Sequence, residues 1–161
     1  FEQAVRWCRA NQVWLNIEIK PAIGAELETG RVVGLLTGEL YADVVHGGGA
    51  SQAGISPDAP LFSSFKPDAL RGAMETAPDI PRGFLVDVLP DNWREVLEEM
   101  KCVSLHCNHQ RLTPEFAREV KDLGYWLFCY TVNDPRRARE LFSWGVDGLC
   151  TDRLDLVRPS L

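Results

Sequence analysis

Strand-like and helix-like segments take strict turns along this chain, and that alternation limits its fold more than any other feature. Short β-type runs fall at 13–20, 61–65, 82–88, 102–107, 125–132 and 146–151. A helical pattern follows each. These are 28–42, 67–77, a segment capped by Asp91 that carries Trp93, Val96, Leu97 and Met100, then 113–123, 135–143, and a short terminal helix or turn over 152–158. A further helix over 1–10 puts Phe1, Ala4, Val5 and Cys8 on one face. In 28–42 the apolar stripe is Val32, Val33, Leu36 and Leu40. Thr113-Pro114 and Asp134-Pro135 each set a capping side chain before a proline at the first helical position, and Pro67 opens its helix in the same way. Gly124 closes 113–123. Strict β/α alternation implies a parallel sheet with right-handed crossovers. Two architectures satisfy it, the doubly wound open sheet and the eight-stranded β/α barrel.

Composition narrows the function. The chain has 161 residues, 45% hydrophobic and 25% charged, which reads as one domain over 1–161 with a real core. A net charge of −6 with no Lys/Arg cluster speaks against a nucleic-acid surface. No apolar run has transmembrane length. The five cysteines, Cys8, Cys102, Cys107, Cys129 and Cys150, are odd in number and lack C-x-x-C spacing, so they read as reduced thiols of a cytosolic protein and not as a zinc site. The absence of G-x-G-x-x-G and of the phosphate-loop motif speaks against nucleotide binding.

In either architecture, ligands sit at the carboxyl ends of the strands. That rule selects Leu15 to Pro21 first. Asn16, Glu18 and Lys20 share one strand face, and Leu15, Ile17 and Ile19 share the other. Glu18 and Lys20 lie roughly 6–7 Å apart along such a face. They are either a structural ion pair or part of a site, because polar groups on a buried strand cost free energy unless paired or bound to something. The other strand ends offer Ser64 and Phe65, Asp87, His106 and Asn108, Tyr130 and Asn133, and Thr151 with Asp152. Asp87 reads equally as a ligand or as a helix-entry residue, and His106 equally as a site residue or a partly buried histidine. Thr151 and Asp152 read more readily as a cap of the terminal segment. His46 and the triple glycine 47–49 follow a helix and precede a strand, which makes them a connector on the opposite face. One carboxylate for a hard cation and one lysine for a phosphate oxygen suggest an anionic substrate.

Asn16-Ile17-Glu18-Ile19-Lys20-Pro21 resembles the N-[IV]-E-I-K signature of glycerophosphodiester phosphodiesterases. Leu61-Phe62-Ser63-Ser64-Phe65 is similar to the family's S-F strand, and Tyr130-Thr131-Val132-Asn133 to its W-T-V-N segment, with Tyr in place of Trp. Gly145-Val146-Asp147-Gly148 and Thr151-Asp152 resemble its closing G-V-D-G-x-x-T-D. The resemblance, which is to the compact bacterial cytoplasmic members, implies a (β/α)8 TIM barrel of the PLC-like phosphodiesterase type. It implies hydrolysis of a glycerophosphodiester to an alcohol and glycerol 3-phosphate with a divalent cation, Mg²⁺ or Ca²⁺. Glu18 would be a metal ligand, Lys20 would contact the phosphate or glycerol, and Phe65 and Tyr130 would wall the glycerol pocket. The family's His-Arg-Gly, Pro-Glu-Asn-Thr and second catalytic histidine find no match. The expectation is therefore about six of eight strand–helix units, the first two missing, and a chain that is inactive alone. The alternative is a barrel fragment that binds a phosphodiester or a partner without turnover.

Overall fold

The computed structural model describes residues 1–45 and 58–158. His46 and glycines 47–49 lie outside the described residues. Six strands form one sheet: β1 (Asn16–Glu18), β2 (Leu61–Ser64), β3 (Arg82–Val86), β4 (Ser104–Asn108), β5 (Trp126–Tyr130) and β6 (Gly148–Leu149). The helices are α1 (Glu2–Ala10), α2 (Glu26–Leu40), α3 (Ala42–Val45), α4 (Pro67–Thr76), α5 (Trp93–Glu99), α6 (Pro114–Asp122) and α7 (Pro135–Ser143). Every strand pairs in parallel with its neighbour in sequence, in the order β1-β2-β3-β4-β5-β6. A doubly wound sheet reverses its order at a switch point. This one does not reverse, so of the two architectures the sequence allows, the barrel winding is present.

The sheet is also curled. Phe65, just past β2, meets Tyr130 of β5 edge to face with ring centroids 5.9 Å apart, although β3 and β4 lie between them. The Tyr130 hydroxyl reaches over β4 to donate to the Val86 carbonyl of β3 at 2.8 Å. Residues on the other face of the strands form the core with the helices. Phe84, Leu105, Cys107 and Leu127 pack with Leu97, Val120 and Leu141. Ile19 and Phe62 pack with Ala69 and Ala73 of α4.

Helix entry follows the local chemistry at two sites. Thr113 Oγ1 accepts from Phe116 N at 3.3 Å, and Asp134 Oδ1 accepts from Arg136 N at 2.8 Å. Asp91 does not cap α5. The cap position falls on Asn92, which makes no side-chain bond there. The strands are shorter than the β-type runs, although ladder bonds continue past their ends: Leu61 N donates to Leu15 O and Ile19 N to Ser63 O at β1, and Cys150 N to Cys129 O beyond β6.

Two helix faces differ from the apolar stripes in the sequence. In α1 only Val5 is buried; Phe1 and Ala4 are exposed and Cys8 is half-buried. In α2 the buried face is Gly30, Gly34, Thr37 and Leu40, while Val32 is exposed and Val33 and Leu36 are half-buried. The reason is steric. α2 packs against the small face of α4, where Ala69, Gly72 and Ala73 are buried, and the two backbones touch. A methyl group at Gly30 would run into the Ala69 carbonyl, and one at Gly72 into the Leu27 carbonyl. Close backbone approach selects for small residues, and the hydrophobic stripe is rotated away from it. Gly72→Ala is therefore expected to destabilise the fold by about 1–3 kcal/mol through overpacking. At Gly38 a new Cβ would meet nothing nearer than Ala77 Cβ at 3.6 Å, so Gly38→Ala is expected to stabilise α2 by about 0.5–1 kcal/mol. Urea denaturation of the two variants checks the contrast in sign.

Candidate functional site

Pairing in register distributes side chains between the two sheet faces. Glu18 pairs with Ser63, Ser63 with Gly83, Gly83 with Ser104, and Ser104 with Trp126. Residues in register share a face, so this row and the residues two positions on lie on the concave side. At its carboxyl rim that face carries Glu18 and Lys20, then Phe65, Asp87, Asn108 and Tyr130.

Glu18 and Lys20 do form an ion pair, with Nζ 3.2 Å from Oε2. The Lys20 side chain is 75% exposed and that of Glu18 31%. A pair this open contributes at most about 1 kcal/mol to folding. Both groups are therefore free to exchange each other for a ligand. Glu18 is an oxygen donor suited to a hard cation. Among the described residues, however, no group of three or more His, Cys, Asp or Glu side chains comes together that could hold a metal ion.

Tyr130 is the most firmly held side chain of the rim. Its ring stands against Phe65, and its hydroxyl is spent on the Val86 carbonyl. Burial, with Asp87 nearby, pushes its pKa up to about 12, so the hydroxyl stays protonated and serves as an anchor. Its carbonyl accepts from His109 N at 3.2 Å. The segment after β4 is in turn tied on both sides. Asn108 Nδ2 donates to Asp87 Oδ1 at 2.8 Å, and Asn108 Oδ1 accepts from Gln110 N at 3.0 Å. Arg137 of α7 donates to the His109 carbonyl and approaches His109 Nδ1 at 3.4 Å. The same guanidinium lies 4.6 Å from the Trp144 ring centroid. Nothing in the sequence marks Arg137 for this task, because its partner is 28 residues away.

The remaining candidates separate. Asp87 is a rim residue bound to Asn108 and does not enter α5. Ser64 is not in the mouth. It is fully buried on the helix-facing side, where its Oγ donates to Ile19 O at 2.7 Å and accepts from Lys66 N at 3.1 Å. Its register partner Phe84 belongs to the core, which is why the side chain points away from the site. Asn133 braces the last strand end, its Oδ1 accepting from Thr151 Oγ1 and from Asp152 N. Thr151 Oγ1 also accepts from Arg153 N, which turns the terminal segment in the capping role expected of it. His106 faces the concave side but is only 3% exposed. Its Nε2 lies 2.9 Å from Ser104 Oγ, its ring stacks on Phe128, and burial pulls its pKa down to about 4. The partly buried reading of this residue is the one the structure supports. Ser63, which the sequence did not single out, buries its hydroxyl beside Glu18 in register, with no hydrogen-bond partner among the described residues. All five thiols are free, with Cys102, Cys107 and Cys129 buried.

Known proteins similar to this chain bear on the reading of the site. The model of the glycerophosphoryl diester phosphodiesterase family matches residues 1–156. A glycerophosphocholine phosphodiesterase of Rattus norvegicus is 27% identical over 112 residues, which is 58% of this chain and 17% of the rat protein. A solved Oleispira antarctica phosphodiesterase, in complex with the product sn-glycerol-3-phosphate, is similar with a TM-score of 0.77 and 29% identity, over 94% of this chain and 56% of that one. A glycerophosphodiester phosphodiesterase from Parabacteroides distasonis shares the fold, with a TM-score of 0.69 and 22% identity over 96% of this chain and 60% of its own. The chain thus spans little more than half the length of these solved relatives and a smaller part of the rat protein.

His106 gives this site a pH signature. Its folded pKa lies below the usual 6.5, so the folded state refuses a proton that the unfolded chain accepts. The stability it protects is complete above pH 6.5 and falls as the pH drops towards 4, by about 3 kcal/mol. Urea denaturation across that window should show the slope, and His106→Gln should remove this part of it.

Proposed function

The chain belongs to the glycerophosphoryl diester phosphodiesterase family, and on that premise we propose that the protein hydrolyses glycerophosphodiesters to an alcohol and glycerol 3-phosphate. The observation that carries this reading is the meeting, on one concave rim, of the open Glu18–Lys20 pair with the aromatic pair Phe65 and Tyr130. A phosphate needs a cation that can leave its present partner, and a glycerol backbone needs a firm apolar wall. We read the six strands as six of the eight in a (β/α)8 barrel, a reading that their sequential parallel order supports.

In this reading Lys20 holds a phosphate oxygen. Negative charge on the oxygens grows as the ester bond breaks, so a cation already in place lowers the barrier. Phe65 and Tyr130 pack against the glycerol carbons, and the Val86 carbonyl keeps the Tyr130 ring from turning away. Glu18 is proposed as one oxygen ligand of Mg²⁺ or Ca²⁺. The described residues do not complete a cation shell, so the further donors are proposed to come from the part of the barrel that the longer relatives have and this chain does not span. The proton donor and base are assigned there too. His106 is buried and engaged with Ser104, and His109 is engaged with Arg137. A cytoplasmic location is proposed with the reaction; the five free thiols support it. Among the described residues no helix is long and apolar enough to cross a membrane.

The test is an assay of the full-length protein on a glycerophosphodiester with Mg²⁺ or Ca²⁺. Lys20→Ala is expected to lower kcat by about 10²–10³ with its melting temperature unchanged. Glu18→Gln is expected to abolish metal-dependent turnover while the fold survives. If Lys20→Ala loses stability and keeps its kcat, the ion pair is structural. A wild-type protein that binds glycerol 3-phosphate but turns over no diester would instead be a non-catalytic phosphodiester-binding barrel.

A further inference from the structure

Arg137 of α7 joins its own helix to one short segment of the rim. Nη1 donates to Glu140 Oε2 at 2.6 Å, and the guanidinium lies 4.6 Å from the Trp144 ring centroid. Glu140 and Trp144, on α7 and at its end, fix where the guanidinium stands. The remaining donors go to His109, 28 residues away. One reaches its carbonyl, and Nε approaches its Nδ1 at 3.4 Å. A guanidinium only donates, so Nδ1 is the acceptor and the His109 imidazole is neutral, with its proton on Nε2.

His109 passes this hold on to the aromatic wall. Its N–H donates to the Tyr130 carbonyl at 3.2 Å, and its ring bonds the Thr131 backbone. Tyr130 is thereby fixed at both ends, its hydroxyl on the Val86 carbonyl and its own carbonyl on His109. With both ends fixed, the ring keeps its edge-to-face position against Phe65. Protonation of His109 would loosen the hold. An imidazolium has no lone pair for Arg137 and sets a second cation 3.4 Å from the first. Burial, and after it the Arg137 charge, keeps the His109 pKa below the usual 6.5, so the contact is intact at neutral pH. The other ionisable groups nearby are occupied. Glu140 is paired with Arg137, and on the rim Asp87 is shared between Asn108 and Arg111. Tyr130 stays protonated.

We propose that Arg137 is a positioning residue, which acts through His109 to hold the Tyr130 wall where the glycerol arm of the diester packs. This rests on the reading of the rim as a glycerophosphodiester site. A wall supports the ground state and the transition state alike, so loosening it raises KM and spares kcat. In the full-length protein Arg137→Leu is expected to raise KM about tenfold, the worth of one charge-assisted hydrogen bond, with kcat unchanged. The ratio of variant to wild-type KM should be largest above pH 6.5 and shrink below it, because acid breaks a contact that the variant has already lost. Groups common to both proteins cancel in that ratio. His109→Phe keeps the backbone bonds and lacks Nδ1. Its KM should rise less and converge on the wild-type value in acid, which keeps the test sound if Arg137→Leu fails to fold. An Arg137→Leu protein that melts lower but keeps the wild-type KM makes the contact merely structural and overturns the proposal. So does a loss confined to kcat, or a KM ratio that ignores pH in both variants. Should no diester be hydrolysed, the reaction has been misread, and the same variants are compared by calorimetric Kd for glycerol 3-phosphate. A Kd that rises in Arg137→Leu and converges in acid then supports the positioning role. An unchanged Kd, or a wild-type protein that does not bind, overturns it.

Discussion

Each strand of this sheet takes its backbone partners from the strand before it and the strand after it in sequence, always in parallel. Right-handed crossovers then keep the helices on one side, and the accumulated twist curls the other side inwards. Everything functional depends on that curl. Phe65 and Tyr130 are separated by two intervening strands, and on a flat sheet they would stand about 14 Å apart at the usual strand spacing. Here their rings touch. The bond from Tyr130 to the Val86 carbonyl spans the same bend and holds it closed at the rim.

Polar groups are divided between the two ends of the sheet. At the amino end Arg82 is buried, and its guanidinium donates to the carbonyls of Met100, Pro78 and Ile80. Burial lowers its pKa, but every nearby carbonyl offsets the lost water. In the middle, His106 and Ser104 satisfy each other in a dry layer. At the carboxyl end Glu18, Lys20, Asp87 and Asn108 stay open to solvent. A charged ligand would thus meet groups that are paired weakly enough to be re-paired, above a buried layer.

The helix layer adds a different constraint. α2 and α4 approach backbone to backbone across glycine and alanine, with Arg31 of one helix paired to Glu75 of the other at 2.6 Å. This seam stands directly behind β1 and β2, the strands that carry Glu18 and lead to Phe65. Its tightness leaves little freedom for that edge of the mouth to shift.

What could be read from the chain was whatever depends on neighbours in sequence. The β/α alternation, the Thr113 and Asp134 caps, and the face shared by Asn16, Glu18 and Lys20 all follow from local periodicity and turn chemistry. The placement of Glu18 and Lys20 at a strand's carboxyl end was legible for the same reason. The parts decided only by tertiary structure involve contacts between distant segments. Among them are the glycine face of α2 in place of its valine stripe, the helix-facing burial of Ser64, the withdrawal of His106 from the mouth, and the hold of Arg137 on His109. A side chain's neighbours in a parallel sheet come from strands about twenty residues or more away. Local pattern says which face a residue occupies, and packing decides whether that face is open.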